Sequence, residues 1–361
     1  MTNLNLSPRL AGWLPARRIK TTQRIFLVQQ LQIMVRAGVP MTSALHTLEV
    51  QASSTRLKRI LASITTDIER GKTLAEGMTP FQREFGELMI SMIAAGETSG
   101  RLEDVLGQIY LQMKKDHEIV SKVRGALIYP AVVVTAMLVV GIGVVVYIIP
   151  KLTTVFVDAN VELPLPTKIL VATSNFLVNQ GIFAAIGVFV SILVFGAIIR
   201  HPRGRLIWHS LLLALPIVGS IIRKVNTARF ARTVSSFLKT DIPIVKTLVT
   251  TAHVLGNVHY QRALVEASER IAKGLTLHEV LADYPKLFNP TILQMIAVGE
   301  QSGALDDILA EAANFYENEV SQTMSTLPSL LEPVLMIVLG IGVGGMAVAI
   351  MMPLYSLTQA F

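Results

Sequence analysis

The sequence predicts an all-α integral membrane protein, built from two homologous helical bundles of about six helices each and three transmembrane helices. Two observations carry that prediction. The first is an internal repeat. Gly96-Glu97-Thr98-Ser99-Gly100-Arg101-Leu102 returns as Gly299-Glu300-Gln301-Ser302-Gly303-Ala304-Leu305, an offset of 203 residues (300 minus 97) that also relates Pro40 to Pro243, Pro130 to Pro333 and Pro150 to Pro353. Between residues 71 and 106, 15 of 36 positions are identical in the copy, so the two halves should share one fold. The second observation is where charge is missing. Residues 126–150 and 333–357 hold no charged side chain, and residues 181–199 form a third apolar run. Roughly 20 helical residues cross a hydrocarbon core, so each run is long enough to span. A mean hydropathy of +0.54 with 16% charged residues agrees, since soluble domains are more polar.

Residues 1–20 read as a basic leader that lacks the apolar core of a cleavable signal peptide. Residues 21–125 form the first helical domain. Ile25, Phe26, Leu31, Met34 and Val35 recur at helical spacing among polar neighbours, which makes one apolar face. Gly38-Val39-Pro40 stops one helix and starts the next, because glycine tolerates the left-handed cap and proline suits a first turn. The copy has Asp241 in the glycine's place. Gly71 and Gly274 are further helix stops. Each is followed by a capping box, Thr73-Leu74-Ala75-Glu76 and Thr276-Leu277-His278-Glu279. The Gly-Glu-x-Ser-Gly element then separates a buried helix from a long one leading to the membrane. Glu103, Asp104, Asp306 and Asp307 occupy the first turns of the two long helices, where the helix dipole favours negative charge.

The spans follow at residues 126–150, 181–199 and 330–355. Between them lie a loop at 151–180 and the second helical domain at 200–329, and a tail at 356–361 ends the chain. Only Lys151 and Lys168 fall between the first two spans, and no Lys or Arg follows the third. Lys114, Lys115, Lys122 and Arg124 precede the first span, and Arg200, Arg203 and Arg205 follow the second. The positive-inside rule places both repeats, and the N-terminus, in the cytoplasm, with the loop and the C-terminal tail outside. Residues 206–222 are apolar but short and carry His209 and Pro216, so they read as a hairpin at the membrane surface.

Chemistry-bearing motifs are scarce. With no cysteine, disulfides, thiolate metal sites and thiol nucleophiles are excluded. The histidines show no zinc spacing. Gly71-Lys72-Thr73 imitates the end of a phosphate loop, but Thr66 stands where its first glycine belongs and Leu275 replaces the lysine in the copy. No catalytic residue, cofactor or metal is expected. The pI of 9.6 follows from topology, and no basic stripe with aromatics suggests nucleic acid.

The candidate sites are therefore duplicated or membrane-embedded groups. Gly96, Glu97, Ser99 and Gly100, with Gly299, Glu300, Ser302 and Gly303, form either a structural turn whose carboxylate accepts backbone amides or a contact for a partner or weakly held cation. Glu332-Pro333 opens the third span where the first has Tyr129-Pro130. The carboxylate can snorkel to the interface, or pair with another membrane helix or an incoming protein's N-terminus. Gly340 and Gly344 offer a small-residue face for helix packing.

Taken together, both Gly-Glu-x-Ser-Gly-x-Leu elements, Tyr129-Pro130, Glu332-Pro333, Leu163-Pro164-Leu165-Pro166-Thr167 and the stretch from Phe230 to Pro243 resemble the type II secretion F-protein family, whose members are inner-membrane platforms of type IV pilus and type II secretion machines. The likeness runs from about Thr21 to Leu354. It departs in a short leader, as in compact platforms of thin or bundle-forming pili, and in Leu27 standing where the copy has Phe230. The resemblance implies a non-catalytic scaffold in the bacterial inner membrane, forming homo-oligomers and contacting lipid and other inner-membrane assembly proteins. It would couple a hexameric cytoplasmic assembly ATPase to polymerisation of pilin or pseudopilin subunits. A small-solute transporter built from a repeat is the competing reading, although three spans supply little lining for a pathway.

Overall fold

A computed structural model of the chain describes residues 19–158 and 164–360. All but two residues of the expected leader, and the middle of the expected loop, lie outside them. All regular structure among the described residues is helical. The chain divides into two compact units, one formed by residues up to 119 with 215–318, the other by 120–214 with 319 onward. The first unit therefore contains both repeats.

In that unit the first repeat comprises α1 (Thr21–Arg36), α2 (Met41–Gln51), α3 (Thr55–Glu69), α4 (Leu74–Met78), α5 (Gln82–Phe85), α6 (Glu87–Ser99) and the start of α7 (Leu102–Gly143). The chain then continues through α8 (Ile149–Asp158), α9 (Leu165–Arg200) and α10 (Pro202–Ala214). The second repeat follows as α11 (Pro216–Leu238), α12 (Ile244–Val254), α13 (Val258–Ile271), α14 (Leu277–Ala282), α15 (Pro290–Ser302) and the start of α16 (Leu305–Ala360).

Local chemistry sets these boundaries. Ser54 caps α3 by accepting the Leu57 amide, and Leu57, Ile60, Leu61 and Ile64 form its buried face. Gly71 ends the turn after it at φ +86, as Gly274 does after α13 at φ +96. Asp241 takes up φ +58, the conformation Gly38 adopts at +74. Short polar side chains are among the few that tolerate that region.

The core of the first repeat gathers Leu27, Leu31, Leu45, Leu61, Met92 and Leu106, and Phe237 and Ile242 of the second repeat belong to the same cluster. Around the second repeat's centre, the Phe230 and Phe288 rings meet edge-on at 5.3 Å, as do those of Tyr260 and Phe288. The Tyr260 hydroxyl donates to the Leu287 carbonyl at 2.6 Å, and burial raises its pKa above the usual tyrosine range.

The second unit contains the apolar segments. Three helical stretches are long and apolar enough to cross a membrane: 102–154, 165–200 and 305–352. The chain is a multi-pass membrane protein. Residues 151–180, expected as a loop, are largely helical. α8 runs to Asp158 and α9 starts at Leu165, breaking at Gln180 (φ −125), one residue before the expected second span. The early part of α9 is held by buried hydroxyls. Ser174 donates to the Val145 carbonyl at 2.6 Å and Thr167 to the Ala349 carbonyl at 2.6 Å. Val145 lies in a π-helical turn, Val144–Ile148, where wider winding frees carbonyls from regular partners. The apolar stretch 206–222 is divided at Leu215, an extended residue between the end of α10 at Ala214 and Pro216 at the start of α11.

Gly303 has open space where a side chain would begin, so Gly303→Ala should cost only its left-handed backbone, about 1–2 kcal/mol. At Gly299 the first side-chain carbon would lie 3.0 Å from the Leu305 Cα, so Gly299→Ala adds overpacking of about 1–3 kcal/mol. Thermal unfolding of the detergent-solubilised chain should show both losses.

Candidate functional site

Each Gly-Glu-x-Ser-Gly element is a helix end that also caps another helix. In the first copy α6 ends on Gly100 in the left-handed conformation, φ +69, and the Arg101 amide returns to the Gly96 carbonyl at 2.9 Å. The Ser99 hydroxyl donates to the Ala95 carbonyl one turn back. Gly96 is small because Val105 of α7 packs against it, its Cγ2 only 2.8 Å from where a side chain would begin. The Glu97 carboxylate accepts the Leu74 and Ala75 amides at 2.6 and 3.0 Å.

Those bonds complete the start of α4. Thr73 Oγ1 accepts the Glu76 amide at 3.1 Å, and Glu76 returns a carboxylate oxygen to the Thr73 amide at 2.9 Å. The four consecutive amides from Thr73 to Glu76 thus all have side-chain acceptors, which the first turn of a helix otherwise leaves free. The copy repeats the arrangement. Glu300 accepts from Leu277 and His278 at 2.6 and 2.9 Å, Ser302 bonds the Val298 carbonyl, and Gly303 lies at φ +71. The Thr276 amide holds the Glu279 carboxyl below its ordinary range. Its stabilising contribution is therefore present above the usual carboxylate pKa and is lost as pH falls through the lowered value.

The structure also brings the repeats together in the first unit, along a seam that sequence reasoning missed. Arg229 meets Asp116 at 2.6 Å, Gln112 donates to the Thr233 hydroxyl at 2.9 Å, and Arg101 meets Asp241 at 3.1 Å. Beside them Arg232 and Glu317 form a buried ion pair at 2.8 Å, completed by Asn314 at 2.6 Å from the guanidinium. The second Glu317 oxygen has no hydrogen bond but faces Lys115 of the first repeat at 3.4 Å. An open cleft of about 340 Å³ follows the seam, lined by Ser99, Arg101, Asp104, Lys239, Thr240 and Asp306. Its charges are of both signs and largely paired, so it has no single-sign field. Among the described residues no group of three acidic or histidine side chains is placed to hold a metal. One signal in the sequence pointed to the seam: Thr233, Ser235 and Ser236 cluster on a helix that also carries Phe230, Val234 and Phe237.

The membrane candidates are spread out. Tyr129 is half exposed, Glu332 is exposed, and Pro130 lies inside α7, which continues through it. Gly340 and Gly344 have no atom within 4 Å of a would-be side chain. α7 and α16 instead meet through Gly141 and Gly342, where a side chain would begin 3.7 Å from the Met346 methyl and 3.4 Å from the Met137 methyl.

The sequence model described as type II secretion system (T2SS), protein F matches twice, at residues 27–150 and 230–353, starts separated by the same 203 residues as the repeat. The chain belongs to the type II secretion system protein F family. It is 33% identical to the type IV pilus assembly protein PilC of Myxococcus xanthus over 340 residues, covering 93% of this chain and 80% of that protein. To type II secretion system protein F of Pseudomonas aeruginosa it is 31% identical, covering 95% and 85%. To PilC of Thermus thermophilus it is 32% identical, covering 91% and 81%. The family's double match thus coincides with the two helical bundles and the spans they lead into.

Glu97→Leu should cost about 1–3 kcal/mol for each amide it strands, with matching loss for Glu300→Leu, read from thermal unfolding. Glu317→Ala should cost about 3–5 kcal/mol, because it leaves the Arg232 guanidinium buried without its counter-ion. Replacing Arg232 and Glu317 together by Met and Leu should recover most of that loss.

Proposed function

We propose that this chain is a non-catalytic platform protein of the bacterial inner membrane, in a type IV pilus or type II secretion machine. Its helical repeats face the cytoplasm and receive motion from a hexameric assembly ATPase, and its spans pass it to pilin or pseudopilin subunits leaving the bilayer. The observation that carries the reading is the joining of both repeats in one compact unit, from which the long helices α7 and α16 continue into apolar segments. A continuous helix transmits displacement, whereas a flexible linker dissipates it. Relatives named for pilus assembly and for type II secretion support the assignment equally. The paired Glu97 and Glu300 turns are proposed as rigid corners of this unit and its ATPase-facing surface.

In-frame deletion of the gene should abolish surface filaments, or secretion of folded exoproteins, while leaving synthesis of the pilin-like subunits unchanged. Normal filaments and secretion after deletion would reject the platform role. Alkaline phosphatase fused at Asn160 should be active and at His253 inactive; the opposite pattern would reverse the proposed orientation.

A further inference from the structure

The seam uses each kind of face once. The first repeat contributes α6 and α7, through Glu87, Gln112 and Asp116. The second contributes α11, its following turn and the end of α12, through Arg229, Thr233, Asp241 and His253. Contact between unlike faces of homologous units is heterologous, so it leaves one copy of each face over. The faces left over are α1 with the end of α2 in the first repeat, and α15 with α16 in the second.

Shifting by 203 residues places Phe26, Gln30, Ile33, Val39 and Val50 where the seam has Arg229, Thr233, Ser236, Ile242 and His253. Arg229, Thr233 and Ser236 share one face of α11, spaced four and three apart, so Phe26, Gln30 and Ile33 share the matching face of α1. Ser236 and Ile242 are 2% and 6% exposed, whereas Ile33 and Val39 are 51% and 36% exposed. On the other side, Gln112 at 5% corresponds to Phe315 at 47%, and Ala95 to the exposed Val298. The leftover faces are also more apolar than the seam. The Glu87–His253 pair becomes Pro290 opposite Val50, Gln112–Thr233 becomes Phe315 opposite Gln30, and Arg101–Asp241 becomes Ala304 opposite Gly38, while Asp116–Arg229 becomes Glu319 opposite Phe26. Two faces that have lost two of these three ion pairs and one partner of the third, and have gained Phe, Ile and Val, are suited to burial against each other.

We propose that a second copy of this chain docks the α1 face of its first repeat onto the α15–α16 face of its neighbour's second repeat, in the register of the internal seam. Assembly is then head-to-tail, closing into a ring or extending according to the rotation each step imposes. Because the contact repeats within the chain, each added protomer presents the next one with the surface it has just used. The proposal depends on the fold alone and stands whether or not the platform role is correct.

The natural absence of cysteine makes the full chain in its membrane a direct test. Gln30→Cys is placed in one tagged population and Phe315→Cys in another, and the two are co-expressed and oxidised. A chain carrying Gln112→Cys and Thr233→Cys reports that the internal seam cross-links under the same conditions. The expected result is an intermolecular disulfide only when both populations are present. Phe315→Glu and, separately, Ile33→Asp should each weaken self-association roughly tenfold or more, with the melting temperature of the protomer unchanged. Three outcomes overturn the proposal: Gln30→Cys cross-linking to itself between chains, which makes the contact isologous; an intramolecular disulfide in place of the intermolecular one when Leu10→Cys is added to the Gln30→Cys chain; or no intermolecular product while the internal control forms.

Discussion

The constraint on which the first unit depends is the double duty of α11. One side of this helix completes its own repeat through Phe230, Ala231 and Val234, and its far end supplies Phe237, with Ile242 just beyond, to the core of the other repeat. A helix enclosed on both sides has no solvated face for polar residues, so those it carries must be satisfied in place. Thr233 does so with Gln112 and Arg232 with Glu317 and Asn314. Its counterpart α1 serves one core and keeps Phe26 and Ile33 exposed. The duplication is therefore symmetric in fold and asymmetric in environment, and the asymmetry fixes which repeat precedes which.

The buried ion pair and the Glu97 and Glu300 caps contribute differently. A desolvated pair adds little net stability over a well-packed apolar replacement but makes loss of one partner costly. Both of its members lie in the second repeat, so it fixes how α11 packs on α16, and only Lys115 reaches it from the first repeat. The glutamate caps answer an obligation of the backbone. α4 and α14 are too short to hold themselves, and their leading amides would be stranded against the end of α6 or α15 without a carboxylate there. Glycine at 96 and 299 lets the next long helix approach closely enough for the corner to be compact. That gives the long helices a defined starting direction, which a mechanical role requires.

Much of this was legible in the residues. The constant offset announced two like bundles, and Thr73 with Glu76 and Thr276 with Glu279 announced the two capped helices. The left-handed positions at Gly71, Gly274 and Asp241 followed from their place between apolar runs. What stayed hidden was partner choice. Periodicity marks Phe237 and Ile242 as inward-facing without saying which core they enter, and Arg232 reads as solvated until Glu317 is placed beside it. The early part of α9 falls between two uncharged runs and so reads as loop; the signal against that is the spacing of Thr167, Leu170, Ser174 and Leu177 along one face. In the spans, Gly340 and Gly344 have the spacing of a packing motif, yet Gly141 and Gly342 lie where methionines from the facing helix reach them. A spacing rule names the residues able to pack and leaves the register to the neighbour.

The shared core also imposes an order of events on the ribosome. The first repeat's own residues are complete by position 119, but Phe237 emerges 118 residues later, after two apolar segments have been handed to the bilayer. At about 5–20 residues per second that gap lasts about 6–24 s. During that interval the cluster that includes Leu27, Met92 and Leu106 lacks Phe237 and Ile242, so the core of the first-made half is completed only after its membrane anchors are being seated and its sibling has arrived.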